Sequence, residues 1–414
     1  MFTSVNLTAW RSLVKWRNVS LQIIHLGVGG VLYMGLWLVL ARSWGANLFG
    51  TFNFLYAYVA MWGIFFDFGL DLLLTRYISA HGRGIPLSLL KIKAGVILAG
   101  CFFSMGLAVF FNFTYMHALA FLLAGIILLS ATNFINGFLR GVERLDIEAG
   151  VSLAQKIVFV GMAVSGVLGF KRGVGWVSLS YLTSHMMGFC VTFFFAAARP
   201  EFSLLKKALP SVKESLKISL PFWMVALLTT LGQRSDIFML KILTTEKEVG
   251  LYSAGFRIIE GLIFFEVAYI AAFFPRLVQL IENKGAYRSI VKHSGFLLLS
   301  GALAIAVAAY FLAPWGIPFL FGGDYAESIK VLQHLGLSLP LVFVSALFGH
   351  LLIAWNRQLH FVAALAVALC VNFAVDMTLI PKIAISGAVF GFWSREIVLS
   401  VILYTMVRRF AGRD

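Results

Sequence analysis

The sequence predicts an all-α integral membrane protein of about twelve transmembrane helices, in two six-helix lobes around a central cavity with both termini cytoplasmic. Three observations carry that expectation. Hydrophobic residues are 60% of the 414 and charged residues only 12%, about half the charge of a soluble domain. The apolar residues come in runs of about 20, the length that crosses a bilayer. The Lys and Arg residues gather in every second connector, as the positive-inside rule requires of a polytopic chain.

The spans are expected at 21–41, 51–74, 93–112, 117–138, 150–170, 175–196, 217–243, 248–274, 294–313, 330–354, 358–380 and 384–407. Lys156 interrupts the fifth, and Gln333 with His334 interrupts the tenth. The first run is long enough to stay as a helix after an amphipathic, basic leader (Arg11, Lys15, Arg17), and that leader is expected along the cytoplasmic surface. With the N-terminus inside, 23 of the 33 Lys and Arg fall in cytoplasmic segments and 7 in the opposite loops. That bias places both termini in the cytoplasm.

The longest polar connector, RPEFSLLKKALPSVKESLK at 199–217, divides the chain. It separates an N-terminal lobe (1–198) from a C-terminal lobe (217–414), with a cytoplasmic linker at 199–216 hugging anionic lipid. The lobes echo each other. Residues 50–76 and 250–276 align Gly50 with Gly250, Phe52 with Tyr252 and Arg76 with Arg276; a one-residue slip sets IFFD at 64–67 against IFFE at 263–266. Both segments are the second helix of their lobe and run inward, so the repeat is parallel. Transporters built from such halves hold substrate between them.

Ionisable residues at span depth are costly and mark cavities or partners. The seventh and eighth spans turn near residue 245, so Arg234 and Arg257 lie at one depth, about 17 Å below the outer surface. Two guanidiniums there suit a phosphate, which arginine grips with a planar fork of donors. Glu260 shares the Arg257 helix face; it is either a permanent structural partner or a neutralising group that yields to an arriving anion. Asp236, two residues from Arg234, points elsewhere. Asp67 and Asp71 are four apart and expected on one face, where like charges repel unless the face lines water or holds a proton or cation. Asp67 has Glu266 as its repeat partner. Asp67, Asp71, Glu266 and Asp236 are the candidates for coupling H+ or Na+, and Arg395 is a further headgroup candidate at mid-depth in the last span. Arg140 and Arg144, after Asn133 and Asn136, read as interfacial anchors or as a capture point for a phosphate headgroup.

Several classes are excluded. The net charge of +15 lies in short connectors between spans, not on one soluble face, which argues against nucleic acid. Cys101, Cys190 and Cys370 each sit in an apolar run and suggest no disulfide or metal spacing. No Walker A loop, paired-histidine metal motif or large extramembrane loop appears, so neither cofactor nor enzymatic activity is expected.

The first-lobe run LVLARSWGANLFGTFNFLYAYVAMWGIFFDFGLDLLLTRYIS resembles the start of bacterial O-antigen and capsule repeat-unit flippases, the polysaccharide-transporter branch of the multidrug/oligosaccharidyl-lipid/polysaccharide exporter superfamily. The similar features are Gly45 with Gly50, and Asp67, Phe68 and Gly69 ahead of Thr75 and Arg76. Leu220, Pro221 and Asp236, then Val249, Gly250 and Tyr252, then Phe321, Gly322 and Tyr325 match in the second half. The resemblance implies a V-shaped pair of six-helix bundles. It also implies movement of an undecaprenyl-pyrophosphate-linked oligosaccharide from the cytoplasmic to the outer leaflet, by alternating access and with ion coupling. The implied partners are that lipid-linked saccharide, membrane lipids, H+ or Na+, and neighbouring glycan polymerase and glycosyltransferases. Two other functions stay open on the residues alone: a multidrug-type exporter, and a non-transporting scaffold for glycan-assembling enzymes.

Overall fold

A computed structural model describes residues 16–82, 84–110, 113, 115–205, 212–280 and 284–411. Arg11 and Lys15 of the basic leader lie outside these residues, as do residues 206–211 of the central connector.

The apolar runs form helices. α1 spans Trp16–Asp67, α2 Leu70–His81, α3 Leu87–Phe110, α4 Met116–Gly141, α5 Leu145–Val164 and α6 Val174–Ala197. After the connector come α7 (Val212–Leu243), α8 (Glu246–Gln279), α9 (Lys284–Phe321), α10 (Ser328–Leu337), α11 (Leu339–Ala354), α12 (Gln358–Ile383) and α13 (Ile385–Ala411). A two-residue parallel pair joins Ile85–Pro86 (β1) to Leu204–Leu205 (β2). Local chemistry sets several ends. Thr245 caps α8 by accepting from the Glu248 amide, and Glu246 and Glu248 place negative charge at its positive end. α2 ends at Gly82, left-handed at φ 77°, which costs glycine little.

Among the described residues, nine helices are long and apolar enough to cross a membrane, or ten counting the α10–α11 pair, bent by 45°, as one. That supports a polytopic helical membrane chain. Three details differ from the expected spans. The first two join in one helix, α1, that breaks at Gly45 (φ 67°, ψ 174°), so 27–81 counts once. The seventh is helical throughout, and its described part, which carries Arg234, Asp236 and Lys241, is not among the nine. The expected outer loop at 314–329 is helical through Phe321. Pro314 and Pro318 lie inside α9, because neighbouring helices and side chains can satisfy the backbone groups a proline frees in a membrane.

Contacts divide the chain into two compact units. The first is Met1–Trp37 with Phe65–Ser219, and the second is Leu38–Ile64 with Leu220–Asp414. The middle of α1 therefore belongs with the C-terminal helices. In the first unit, α4 packs chiefly against α6 and α2, around Leu70, Leu74, Phe134 and Phe138. In the second, α12 and α13 pair most extensively, and Leu352, Phe361, Leu365, Leu399 and Leu403 form a core. Segment 38–64 is tied to that unit by long-range hydrogen bonds, three of them to main-chain carbonyls. Tyr325 donates to the Ala41 carbonyl (3.0 Å), Trp223 donates to the Ile64 carbonyl (2.9 Å), and Arg42 donates to the Phe319 carbonyl.

Candidate functional site

The turn between α7 and α8 fixes the site. It carries Arg234 down one helix and Arg257 with Glu260 down the other. Arg234 Nη1 lies 2.9 Å from Glu260 Oε1, and Arg257 Nη1 lies 2.7 Å from Glu260 Oε2. Arg257 Nη2 donates to Asn53 Oδ1 of α1 at 2.8 Å. Tyr56, one helical turn beyond Asn53, is within electrostatic reach of all three charges. The side chains are 14%, 12% and 22% exposed for Arg234, Arg257 and Glu260, so the cluster is recessed but not sealed.

Taking ions out of water costs several kcal/mol each, repaid only by good geometry. Here one carboxylate serves two guanidiniums and leaves one positive charge in excess. Arg234 Nε is left without a hydrogen-bond partner. An arrangement like this can hold an anion by adding its oxygens to donors already aimed inward.

The other candidates separate into distinct surroundings. Asp67 is not a lone carboxylate. Lys93 donates to it (3.2 Å), to Ser130 Oγ (2.6 Å) and to the Phe66 carbonyl (2.9 Å), while Ser130 and Asn133 also donate to Asp67. Lys93, the first residue of the expected third span, has a side chain only 4% exposed. It belongs to the core of the first unit. Asp67 and Asp71 do not share a continuous helix face either. α1 ends at Asp67, and Phe68 (φ 45°) and Gly69 (φ 69°) are both left-handed before α2 begins. Asp71 turns instead to Arg140, 3.5 Å away. Arg140 binds Glu148 more closely, at 2.6 Å, and Arg144 pairs with Asp146 at 2.8 Å.

In the second unit, Asp236 is buried with Asp376. Tyr252 donates to Asp236 Oδ2 at 2.5 Å, and Asn372 Nδ2 lies 3.1 Å from Asp236 Oδ1 and 3.2 Å from Asp376 Oδ2. Asp376 Oδ1 has no partner. Arg395 is not beside Arg234 or Arg257 in any described hydrogen bond or ion pair. Its Nε and Nη2 bind Glu396 (3.0 and 2.8 Å), its Nη1 binds the Gly232 carbonyl, and its guanidinium lies over Phe392. Glu266 lines a separate apolar cavity. Sequence reading missed Asn53, Lys93, Asn372 and Tyr56. Polar side chains inside apolar runs were the available signal for all four.

Comparison places the fold among membrane transporters. It is similar to an inward-facing multidrug resistance MATE family transporter of the MOP superfamily, with TM-score 0.68 and 14% identity over 94% of this chain and 98% of that one. The lipid II flippase MurJ in an inward closed conformation is equally similar, with TM-score 0.68 and 14% identity over 94% and 87%. A MOP superfamily transporter from Pyrococcus furiosus, described as having a binding pocket of reverse polarity, gives TM-score 0.59 and 14% identity over 94% and 93%. At these identities the likeness is one of fold. The sequence profile of polysaccharide biosynthesis proteins matches residues 16–281, and the chain belongs to that family. No curated protein matches it in sequence.

Proposed function

We propose that the chain flips a polyprenyl-pyrophosphate-linked oligosaccharide, the repeat unit of an O-antigen, capsule or exopolysaccharide, from the cytoplasmic to the outer leaflet. The observation that carries this reading is Glu260 bridging Arg234 and Arg257. A pyrophosphate can displace the carboxylate from either fork, so the guanidiniums are kept desolvated and aimed until the headgroup arrives. Family membership supports a role in polysaccharide biosynthesis. The multidrug reading draws on neighbours of 14% identity, and the scaffold reading leaves the two recessed arginines without a task.

The same reading takes α1 as two spans, α7 as one and α10–α11 as one. That yields twelve, two lobes at 1–198 and 217–414, and both termini in the cytoplasm of a bacterial inner-membrane protein. Glycan polymerase and glycosyltransferases are its natural neighbours. Coupling to H+ or Na+ is assigned first to Asp236, whose carboxylate neighbour Asp376 gives it reason to take up a cation. Asp67 and Asp71 each have a basic partner, which weakens the case for them. The headgroup role of Arg395 is weakened likewise, because Glu396 neutralises it.

The test is reconstitution of the purified chain in vesicles with a labelled lipid-linked saccharide. Flipping by the wild type and its loss in Arg234→Ala and Arg257→Ala are the expected results. Full-rate flipping by both variants would end the cationic-site reading.

A further inference from the structure

In the first unit, a cavity of about 520 Å³ lies between α5 and α6. That volume is in the range of pockets that enclose small organic ligands, roughly 300–1,000 Å³. Ile147, Gly150 and Ala154 line it from α5, and Met187 and Phe195 from α6. Gly150 and Ala154 are small and exposed, so the cavity is a furrow with an open floor. Its lining covers about 10–12 Å of each helix, most of the roughly 15 Å of hydrocarbon in one leaflet. The wall is apolar except at the start of α5, where Arg144 and Asp146 close it.

That polar end carries both signs of charge. Arg144 Nε and Nη2 donate to Asp146 Oδ1 and Oδ2, each at 2.8 Å. Arg144 Nη1 takes part in no bond among the described residues. The two side chains are 33% and 27% exposed, so both stay within reach of an outside group. The surroundings lean acidic. Arg140 and Arg144 are outnumbered by Asp71, Glu143, Asp146 and Glu148, and Arg140 is already held by two of these carboxylates.

We infer that the furrow binds one phospholipid whose headgroup is zwitterionic with a primary ammonium. One acyl chain lies between α5 and α6, the phosphate meets the spare donor of Arg144, and the ammonium meets Asp146. Phosphate and guanidinium form charge-assisted hydrogen bonds, and a primary ammonium brings three donors to a carboxylate. The four charges then alternate in sign. Other lipids fit less well. A net anionic headgroup, a polyprenyl pyrophosphate included, would meet the surplus of carboxylates. A choline headgroup has no N–H to donate to Asp146. Only the leaflet rests on the proposed function, whose topology sets this end at the cytoplasm.

The test incubates the full chain in detergent with equal amounts of dioleoyl phosphatidylethanolamine, phosphatidylcholine and phosphatidylglycerol, and counts bound lipid by native mass spectrometry. Gly150→Leu defines the site, because its side chain enters open space and fills the furrow. Ala154→Phe, also at an exposed lining position, serves if Gly150→Leu does not fold. One lipid per chain should be lost in the filled variant. In the wild type that lipid should be the ethanolamine one by about tenfold, the worth of one charge-assisted hydrogen bond. Asp146→Asn breaks only a partly exposed ion pair, which costs little stability, and should erase the preference over phosphatidylcholine. No lipid lost on filling, equal retention of the three lipids at the site, or an unchanged preference in Asp146→Asn would each overturn the proposal. So would displacement of the lipid by a polyprenyl phosphate, which would give the furrow to a transported tail. No saccharide is present, so failure here leaves the flipping assay on Arg234 and Arg257 variants untouched, and the reverse holds too.

Discussion

Gly50 and Gly250, matching residues of the two repeated motifs, meet backbone to backbone. A Cβ on Gly50 would strike the Glu246 carbonyl oxygen and the Gly250 nitrogen, and one on Gly250 would strike the Ala46 carbonyl. Both obstacles are main chain, which cannot rotate away. The contact lets α1 and α8 approach closely enough for Asn53, about one turn beyond Gly50, to meet Arg257, about two turns beyond Gly250.

That closeness makes the first prediction. Gly50→Val and Gly250→Val should each destabilise the protein by about 1–3 kcal/mol through overpacking and should impair flipping by displacing Asn53. Gly261→Ala is the control, because its Cβ would enter open space and alanine favours the helix by up to about 1 kcal/mol. Thermal unfolding in detergent measures both. Equal melting temperatures for the valine variants and the wild type would contradict the contact.

Lys93 and Asp67 make a second. Lys93 is buried but Asp67 is only half-buried and keeps Ser130 and Asn133 as donors, so removing Lys93 strands a partly solvated carboxylate, at about 1–3 kcal/mol. Lys93→Met should therefore be destabilised, and Lys93→Met with Asp67→Asn should recover most of the loss. A coupling energy near zero in that double-mutant cycle would contradict the Lys93–Asp67 pair.

Glu260 makes a third. As competitor for both arginines, it should weaken headgroup binding and hasten release. Glu260→Gln keeps the shape and removes the charge, which at about 8 Å and an effective dielectric near 20 is worth roughly 2 kcal/mol. Pyrophosphate should bind the variant more tightly, and flipping should slow. If Glu260→Gln bound pyrophosphate no better than the wild type, Glu260 would be a structural strut only.

Much of this was legible in the sequence, for identifiable reasons. Helices inside apolar runs follow from solvent chemistry, because backbone groups in lipid must be satisfied within the segment. Arg234 and Arg257 could be set at one depth because the turn near 245 lies almost midway between them and helical rise is constant. The failures share a cause as well. Asp67 and Asp71 share a face only on an unbroken helix, and Phe68, with no glycine's freedom, is left-handed beside Gly69. Lys93 opens the expected third span, where a base suits the interface, and only tertiary structure shows Asp67 paired with it. Asn53 and Arg257 are 204 residues apart, a distance that no local pattern bridges.

The last prediction concerns Asp236 and Asp376. Two buried carboxylates sharing Asn372 repel when both are ionised, a repulsion that the nearby Arg395 offsets in part and that a shared proton or a bound cation would relieve. Asp376→Asn abolishes that repulsion and keeps the side-chain shape. If the pair exists for structure, the variant should lose stability, because an evolved hydrogen-bond network is broken. If it exists for coupling, the variant should melt at a higher temperature, consistent with the trade-off between stability and activity at functional sites, and its flipping should no longer respond to a pH or sodium gradient. Melting temperature and gradient-dependent flipping, measured on the same preparation, separate the two. A variant that is less stable yet still gradient-driven would remove Asp236 and Asp376 from the coupling mechanism.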